Sequence, residues 1–371
     1  METGGAFDPA CSQEGKMTMK ANERIRYLDV AKGLGIILVI IGHAFRDEMR
    51  LEYALCEFVY DLVYTFHMPL FFVVSGMAFG LTYRKYLRTP KEYVSRKTRT
   101  LLIPMVSYAM AMYCCFWGAY QIPAIRNILL STSYRLFPLG EYVWLTLVQD
   151  NPYTVHIWYL WILFIISVIA YILLRFEAKG RPMRLLFVVG ALMLYLVSYK
   201  RMLPIAVMKL FRHMIYFALG LVLSDNPQLL KSRAKLLNID MVLGWLFAVA
   251  YSVLVACRYE FRLLAQPDIL AVSKLLSNGF IVYSILRLSG KLKDCRPMLF
   301  LGEMSFSIYL LHQPFCCGFV GIILYNKLQM PAGFVFAICC LLSILFPMGV
   351  VAVCRKNRLI GKTAKRLLNI S

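Results

Sequence analysis

Ten apolar stretches, each close to the length of a transmembrane helix, dominate this chain of 371 residues. A helix needs roughly 17–25 apolar residues to cross the hydrocarbon core of a bilayer. Hydrophobic residues make up 60% of the chain and charged residues only 16%, so there is far more apolar surface than one water-soluble core can bury. The sequence therefore predicts an all-α, polytopic integral membrane protein with about ten transmembrane helices. The predicted spans are Leu28–Phe45, Glu57–Leu81, Leu101–Gln121, His156–Leu174, Arg184–Tyr199, Ile205–Leu223, Ile239–Ala256, Asp268–Leu286, Met298–Ile322 and Pro331–Val353.

The Lys and Arg residues lie mainly in alternate connections between these spans. If the N-terminus is cytoplasmic, the inner segments hold 28 of the 41 basic residues and the outer connections hold 9. Every inner segment holds more than any outer one, as the positive-inside rule predicts for ten spans with both termini in the cytoplasm. The formal charge of +21 is therefore explained by topology, which argues against nucleic-acid binding. The predicted organisation is a polar N-terminal tail (1–25), a ten-helix membrane domain (26–354) and a basic cytoplasmic tail (355–371).

Ionisable side chains inside the spans are energetically costly, so they mark candidate functional sites. In the first span, Asp29 and Lys32 are three residues apart and can pair on one helix face. An interfacial salt bridge and a functional pair are both consistent with this spacing. His43 lies 17 residues beyond Arg26, about 25 Å along a helix, which predicts a position near the outer side of the membrane.

Three further histidines, His67, His213 and His312, are predicted at middle to outer depth on three other spans, and His156 begins another span at the outer surface. A single buried histidine is commonly a packing residue, whereas four at comparable depth favour a polar centre. Arg212 is adjacent to His213 and belongs to the same candidate group. A neutral imidazole in such a centre is the expected general base for activating a hydroxyl.

The basic segment Ser95-Arg96-Lys97-Thr98-Arg99 precedes the third span on the predicted inner side. It is consistent with a positive-inside anchor. Charge alone favours the anchor, and the functional alternative is a phosphate clamp, because guanidinium groups one turn apart can grip a phosphorylated donor. In the first span, Gly33, Gly35 and Gly42 allow close approach of neighbouring helices.

Four motifs in a fixed order resemble the membrane acyltransferase-3 family. The first, closest to the fucose 4-O-acetylase-like branch, is Arg26-Tyr27-Leu28-Asp29-Val30-Ala31-Lys32-Gly33 running on to Ile41-Gly42-His43. The others are Phe66-His67-Met68-Pro69-Leu70-Phe71-Phe72-Val73-Val74-Ser75-Gly76, Arg96-x-x-Arg99 with Pro104, and Ser305-Phe306-Ser307-Ile308-Tyr309-Leu310-Leu311-His312.

The resemblance implies transfer of an acyl group, usually acetyl from acetyl-CoA, to a hydroxyl of a sugar or polysaccharide outside the cytoplasm, by a protein of the bacterial inner membrane. His43 takes the position of the family's essential histidine and Asp29 that of its conserved acid. Arg96 and Arg99 take the donor-side arginine pair, with Lys32 as a further donor-side residue. Many relatives carry Arg where this chain has Lys32, so a role that needs a guanidinium there does not carry over.

The expected partners are membrane lipid, acyl-CoA and a glycan acceptor, and no metal is implied. Direct transfer to the acceptor and a transient acyl-enzyme are both compatible with the sequence. A proton-coupled secondary transporter of a small metabolite is the alternative function, since intramembrane Asp, His and Arg also occur in proton-coupled pumps.

Overall fold

The computed structural model describes residues 9–130, 136–177, 182–230 and 266–369, together with positions 242, 243, 246 and 250. These residues form helices and irregular connections, and no strand occurs among them. The helices are α1 (Pro9–Ala44), α2 (Asp47–Glu52), α3 (Ala54–Thr82), α4 (Pro90–Lys97), α5 (Ile103–Tyr120), α6 (Pro123–Leu130), α7 (Leu139–Val148), α8 (Trp158–Leu174), α9 (Met183–Lys200), α10 (Ile205–Asp225), α11 (Pro267–Lys291), α12 (Arg296–Leu311), α13 (Ala332–Lys356) and α14 (Arg358–Leu368).

Eight helical segments within the described ranges are long and apolar enough to cross a membrane. They are Arg26–Ala44, Ala54–Tyr86, Pro90–Tyr120, Val155–Leu174, Met183–Lys200, Ile205–Asp225, Pro267–Lys291 and Ala332–Lys356. A ninth span results if the bent pair Arg296–Leu311 and Phe315–Lys327 is counted as one. The structure therefore confirms an all-α, multi-pass membrane protein. The predicted span Ile239–Ala256 lies largely outside the described residues, so the count of ten and the cytoplasmic termini stay predictions.

The clearest difference from the predicted spans concerns Met298–Ile322, which was expected as one continuous helix. The chain instead bends by 69° between α12 and the π-helical turn Phe315–Phe319. Pro314 lies in this break, and proline supplies no backbone N–H to continue a helix. The bend puts His312 directly after the last residue of α12.

Two helix crossings depend on glycines that bring backbones into contact. Gly76 of α3 and Gly220 of α10 face the opposite helix, where a Cβ would overlap the carbonyl oxygens of Phe217 and Val73 respectively. Gly33 of α1 faces Gly302 of α12 in the same way. Small residues let membrane helices approach closely. This close packing matters because lipid tails provide no hydrophobic driving force for helix association. The predicted close approach at Gly33 is thus confirmed.

Ion pairs at the helix termini define two opposite ends of the bundle. At one, named here the Arg26 end, Arg26 lies 3.1 Å from Asp294, which precedes α12. At the other, the Ala44 end, Lys200 at the end of α9 lies 2.9 Å from Asp268 in the first turn of α11. The spanning part of α1 and α12 therefore begin at the same end of the bundle, whereas α9 ends where α11 begins.

Candidate active site

A cavity of about 340 Å³ lies inside the bundle toward the Ala44 end. Four of the five histidines line it, namely His43, His67, His156 and His213, and it is named here the histidine cavity. They come from the end of α1, the middle of α3, the turn before α8 and the first half of α10. Three of the four histidines predicted at a common depth, His43, His67 and His213, therefore line a single space between helices, whereas His312 is not among its lining residues and His156 is.

His43 is the second-last residue of α1, and its ring is held from two sides. The Tyr64 hydroxyl lies 3.1 Å from its Nδ1, and the two rings meet edge to face. Gly42 makes this possible, because a Cβ there would come within 2.9 Å of the Tyr64 ring. The His312 ring lies on another side, with its centroid 5.1 Å from that of His43.

His312 is completely buried at the bend after α12. Its Nδ1 lies 3.0 Å from the carbonyl oxygen of Ile308 and 2.9 Å from that of Tyr309. Carbonyl oxygens only accept, so Nδ1 carries the proton and Nε2 the lone pair. That Nε2 is buried and has no hydrogen-bond partner. An unpaired acceptor in the protein interior is costly. This atom is therefore expected to accept a hydrogen bond from a ligand or to bind a proton.

His67 and His213 have their tautomers fixed in the same manner. Nδ1 of His67 donates to the carbonyl of Val63 at 2.8 Å, and Nδ1 of His213 donates to that of Lys209 at 2.6 Å. Each ring therefore has its lone pair on Nε2, the atom farther from its own helix backbone. His156 also belongs to the cluster, since its ring centroid lies 5.4 Å from that of His312.

Three cations share the histidine cavity: Lys209 and Arg212 of α10, and Lys274 of α11. Lys209 Nζ lies 5.0 Å from the centre of the Trp158 ring, and Arg212 stacks 4.3 Å above the Tyr199 ring. The predicted candidate Arg212 is therefore placed beside His213 at the cavity wall.

A second cavity, of about 290 Å³, lies toward the Arg26 end and is named here the Asp29 cavity. Lys32 Nζ donates to Asp29 at 2.9 Å, so the predicted pairing on one helix face is confirmed. Met68 and Tyr309 line both cavities and thus lie between them. The structure does not bring Asp29 to His43, because 14 residues separate them, about 21 Å along α1.

The two arginines predicted on the donor side lie at the Arg26 end with exposed side chains. Arg96 lies in the last turn of α4 and donates to the Tyr86 hydroxyl, whereas Arg99 lies in the π-helical turn that joins α4 to α5. Neither is among the described residues lining the Asp29 cavity, but Leu101, two residues after Arg99, is one of them. The pair therefore lies at the end of the bundle toward which that cavity lies, and both side chains are exposed.

Sequence reasoning missed Tyr64, Met68, Tyr309, Lys209 and Lys274 as site residues. The two lysines carried a usable signal, since they are cations inside predicted spans. Tyr64 gave none, because an aromatic residue in a transmembrane helix is ordinary. Within the described ranges, no group of three or more His, Cys, Asp or Glu side chains is arranged to hold a metal ion.

Spanning helices around an internal polar centre define a multi-pass membrane protein with a buried site. The chain matches the acyltransferase-3 family, described as an acyltransferase domain, over residues 25–351. Since this covers most of the chain, the protein belongs to that family. It is also similar to nodulation protein NolL of Mesorhizobium japonicum, with 27% identity over 133 residues, which is 33% of this chain and 33% of that protein. No solved structure matches the chain.

Proposed function

We propose that this protein is an O-acetyltransferase of the fucose 4-O-acetylase-like branch, located in the bacterial inner membrane. It moves an acetyl group from cytoplasmic acetyl-CoA to a hydroxyl of an extracytoplasmic sugar or polysaccharide. The observation that carries the proposal is the pair of cavities that share Met68 and Tyr309. One cavity holds His43 and the other holds the Asp29–Lys32 pair, so donor and acceptor can approach from opposite faces.

His43 is the proposed general base. In the reactive tautomer its Nδ1–H donates to the Tyr64 hydroxyl oxygen, which leaves the lone pair on Nε2 for the acceptor hydroxyl. Nε2 takes the hydroxyl proton as the oxygen attacks the thioester carbonyl. The C–S bond then breaks, and the leaving CoA thiolate takes up the proton held on His43 Nε2, which restores the neutral base. General-base catalysis of this kind typically contributes on the order of 10²–10⁴ in rate.

The donor is proposed to enter from the Arg26 end. Arg96 and Arg99 are exposed there and accessible to the phosphates of CoA, which guanidinium groups bind well. Lys32 is half-exposed at the Asp29 cavity, where Asp29 holds its ammonium group. Asp29 is thus proposed to position Lys32 for the donor. It has no direct contact with the reacting hydroxyl, because it lies about 21 Å along α1 from His43.

An aromatic wall favours a sugar as the acceptor. Trp158, Tyr195, Tyr199 and Tyr216 line the histidine cavity, and aromatic faces suit the C–H surfaces of sugar rings. Asn278 adds a polar group: its Nδ2 donates to the Tyr216 hydroxyl at 2.7 Å, and its buried Oδ1 has no partner. That oxygen is available to accept a hydrogen bond from a sugar hydroxyl.

The alternative function, a proton-coupled transporter, is less well supported. Transporters of this kind commonly place their site between two interrupted helices related by an internal repeat. Over the described part of the chain one such broken span occurs, at His312, and it has no counterpart in the other half.

The test is His43→Asn, which keeps a polar side chain and removes the titratable nitrogen. Purified protein in nanodiscs is assayed for [¹⁴C]acetyl transfer from acetyl-CoA to glycans from the source cells. We expect transfer to fall by a factor on the order of 10²–10⁴. Membrane abundance, thermal stability and acetyl-CoA binding should remain near those of the unaltered protein. Near-normal transfer at normal abundance would show that His43 is a packing residue.

A further inference from the structure

We propose that the acceptor carries an anionic group, and that Lys209, Arg212 and Lys274 bind it in the histidine cavity. This inference rests on the proposed function and narrows its substrate class from sugars in general to acidic or phosphorylated ones. The proposal rests on the observation that all three cations line the histidine cavity, which also contains His43.

The three cations come from two neighbouring helices and lie toward the Ala44 end. Lys209 and Arg212 are three residues apart in the first half of α10 and therefore share one helix face. Lys274 lies in the first half of α11 and lines the same cavity as Arg212. Holding like charges together inside a membrane protein is unfavourable unless an anion joins them.

Carboxylates of the protein do not supply that anion within the cavity. None of the described residues that line it is Asp or Glu. Asp61 attracts Lys274 electrostatically, and Asp150 attracts Lys209 in the same way. Both carboxylates belong to exposed residues that do not line the histidine cavity. The cavity therefore contains more positive than negative charge, and a bound anion would gain from all three cations.

Arg212 also has donor capacity that the protein leaves unused. One of its Nη atoms donates to the Ser198 carbonyl at 3.3 Å, while its Nε is buried and without a partner. The side chain is held in place by stacking on Tyr199 at 4.3 Å. A guanidinium fixed in this way is suited to an oxyanion, since carboxylates and phosphates match its donors.

The position of the cations assigns the anion to the acceptor. They lie in the histidine cavity, on the far side of Met68 and Tyr309 from Lys32. The phosphates of CoA have their own basic groups at the Arg26 end, namely Arg96 and Arg99. Two chemical sources remain for an acceptor anion: a carboxylate of the sugar, or a phosphate on the glycan or its lipid carrier.

The first test measures kinetics of Lys209→Gln, Arg212→Gln and Lys274→Gln in nanodiscs. Removal of a charge-assisted hydrogen bond should raise the acceptor KM about 10- to 100-fold and leave the KM for acetyl-CoA unchanged. Arg212→Lys should restore part of the affinity, because it restores the charge without the planar fork. Lys200→Gln is the matched control, since Lys200 is exposed and paired with Asp268 outside the cavity. An unchanged acceptor KM, or an increase confined to acetyl-CoA, would overturn the proposal.

The second test uses the unaltered protein and so does not depend on whether the variants fold. Glycans of the source cells are separated into anionic and neutral fractions and offered with [¹⁴C]acetyl-CoA. Label is expected in the anionic fraction, with an acceptor KM that rises with ionic strength. Label in the neutral fraction would contradict the anionic acceptor but leave the acetyltransferase function standing. Label in neither fraction, with intact protein, overturns the acetyltransferase function itself.

Two treatments of the anionic fraction distinguish the sources of charge. Reduction of carboxylates to alcohols should abolish acceptance if the group is an acidic sugar. Phosphatase or mild acid treatment should abolish it if the group is a phosphate. Acceptance that survives both treatments with unchanged KM contradicts the proposal.

Discussion

The Tyr64 hydroxyl lies 3.1 Å from Nδ1 of His43. Tyr64 belongs to the middle of α3, and His43 is the second-last residue of α1. A hydrogen bond at one ring nitrogen decides which nitrogen carries the proton, and hence which one can act as a base. Tyr64 also lies against His67, with ring centroids 4.8 Å apart, so one tyrosine orders two histidines of the cavity. It is therefore a positioning residue for the proposed general base.

Tyr64→Phe is expected to lower kcat about 2- to 13-fold and to change both KM values little. The substitution removes one hydrogen bond, and a typical net contribution of about 0.5–1.5 kcal/mol corresponds to a decrease of this size. Acetyl transfer is measured in nanodiscs beside His43→Asn, which should be far less active. Tyr113→Phe is the control, because Tyr113 packs against Tyr142 and lines neither cavity. Equal effects of the two tyrosine changes would contradict the positioning role.

Much of the architecture follows from sequence because two strong physical constraints act on a membrane chain. Its apolar stretches must be long enough to cross the hydrocarbon core, and backbone groups in lipid must bond within their own segment, so these stretches become helices. The expected segments Ile205–Leu223 and Pro331–Val353 correspond closely to α10 and α13. The break at His312 was not predicted, since a proline in an apolar run can be accommodated within a helix, as Pro69 is in α3.

The candidate site could be predicted only in part, because depth along a helix is readable from sequence and direction around it is not. Depth alone placed His43, His67 and His213 at a common level. It could not show that Met68 lies between two cavities, nor that Asp29 and His43 lie in different ones. Those relations depend on helix rotation and on crossings such as Gly76 against Gly220, which bring together residues far apart in the chain.

Arg96→Ala with Arg99→Ala is expected to raise the KM for acetyl-CoA about tenfold or more, since hydrogen bonds from guanidinium groups to phosphate are charge-assisted. Lysine at both positions should recover only part of this affinity, because it cannot reproduce the bidentate geometry. The acceptor KM should not change. Lys91→Ala is the control, as Lys91 is an exposed cation near the start of α4, the helix that contains Arg96. An unchanged donor KM at normal abundance would make this pair a topological anchor only.

Single cysteines at Arg88 and Arg126 test the topology. Arg88 follows the Ala54–Tyr86 span, and Arg126 lies in α6 after the Pro90–Tyr120 span, so the two positions should face opposite sides. In a functional cysteine-depleted background, Arg126→Cys should react with an impermeant maleimide in intact cells. Arg88→Cys should react only after permeabilisation, because the basic connections are expected in the cytoplasm. Labelling of both from one side would contradict the arrangement of spans.

Met68 lies between the two cavities, so changing its size is expected to change which acyl groups are transferred. Met68 and Tyr309 line both cavities, but Tyr309 is held in place by donating to the His156 carbonyl, so the flexible methionine is the adjustable member. Met68→Trp should narrow the passage, with acetyl transfer reduced at least about tenfold and acetyl-CoA binding retained. Met68→Ala should raise the ratio of butyryl to acetyl transfer, because the truncated side chain leaves room for two more methylene groups. Met110→Trp is the control, since Met110 is exposed on α5 and lines neither cavity. If Met68→Trp transfers acetyl at the normal rate, the thioester reaches His43 by another route, and the shared wall has no part in transfer.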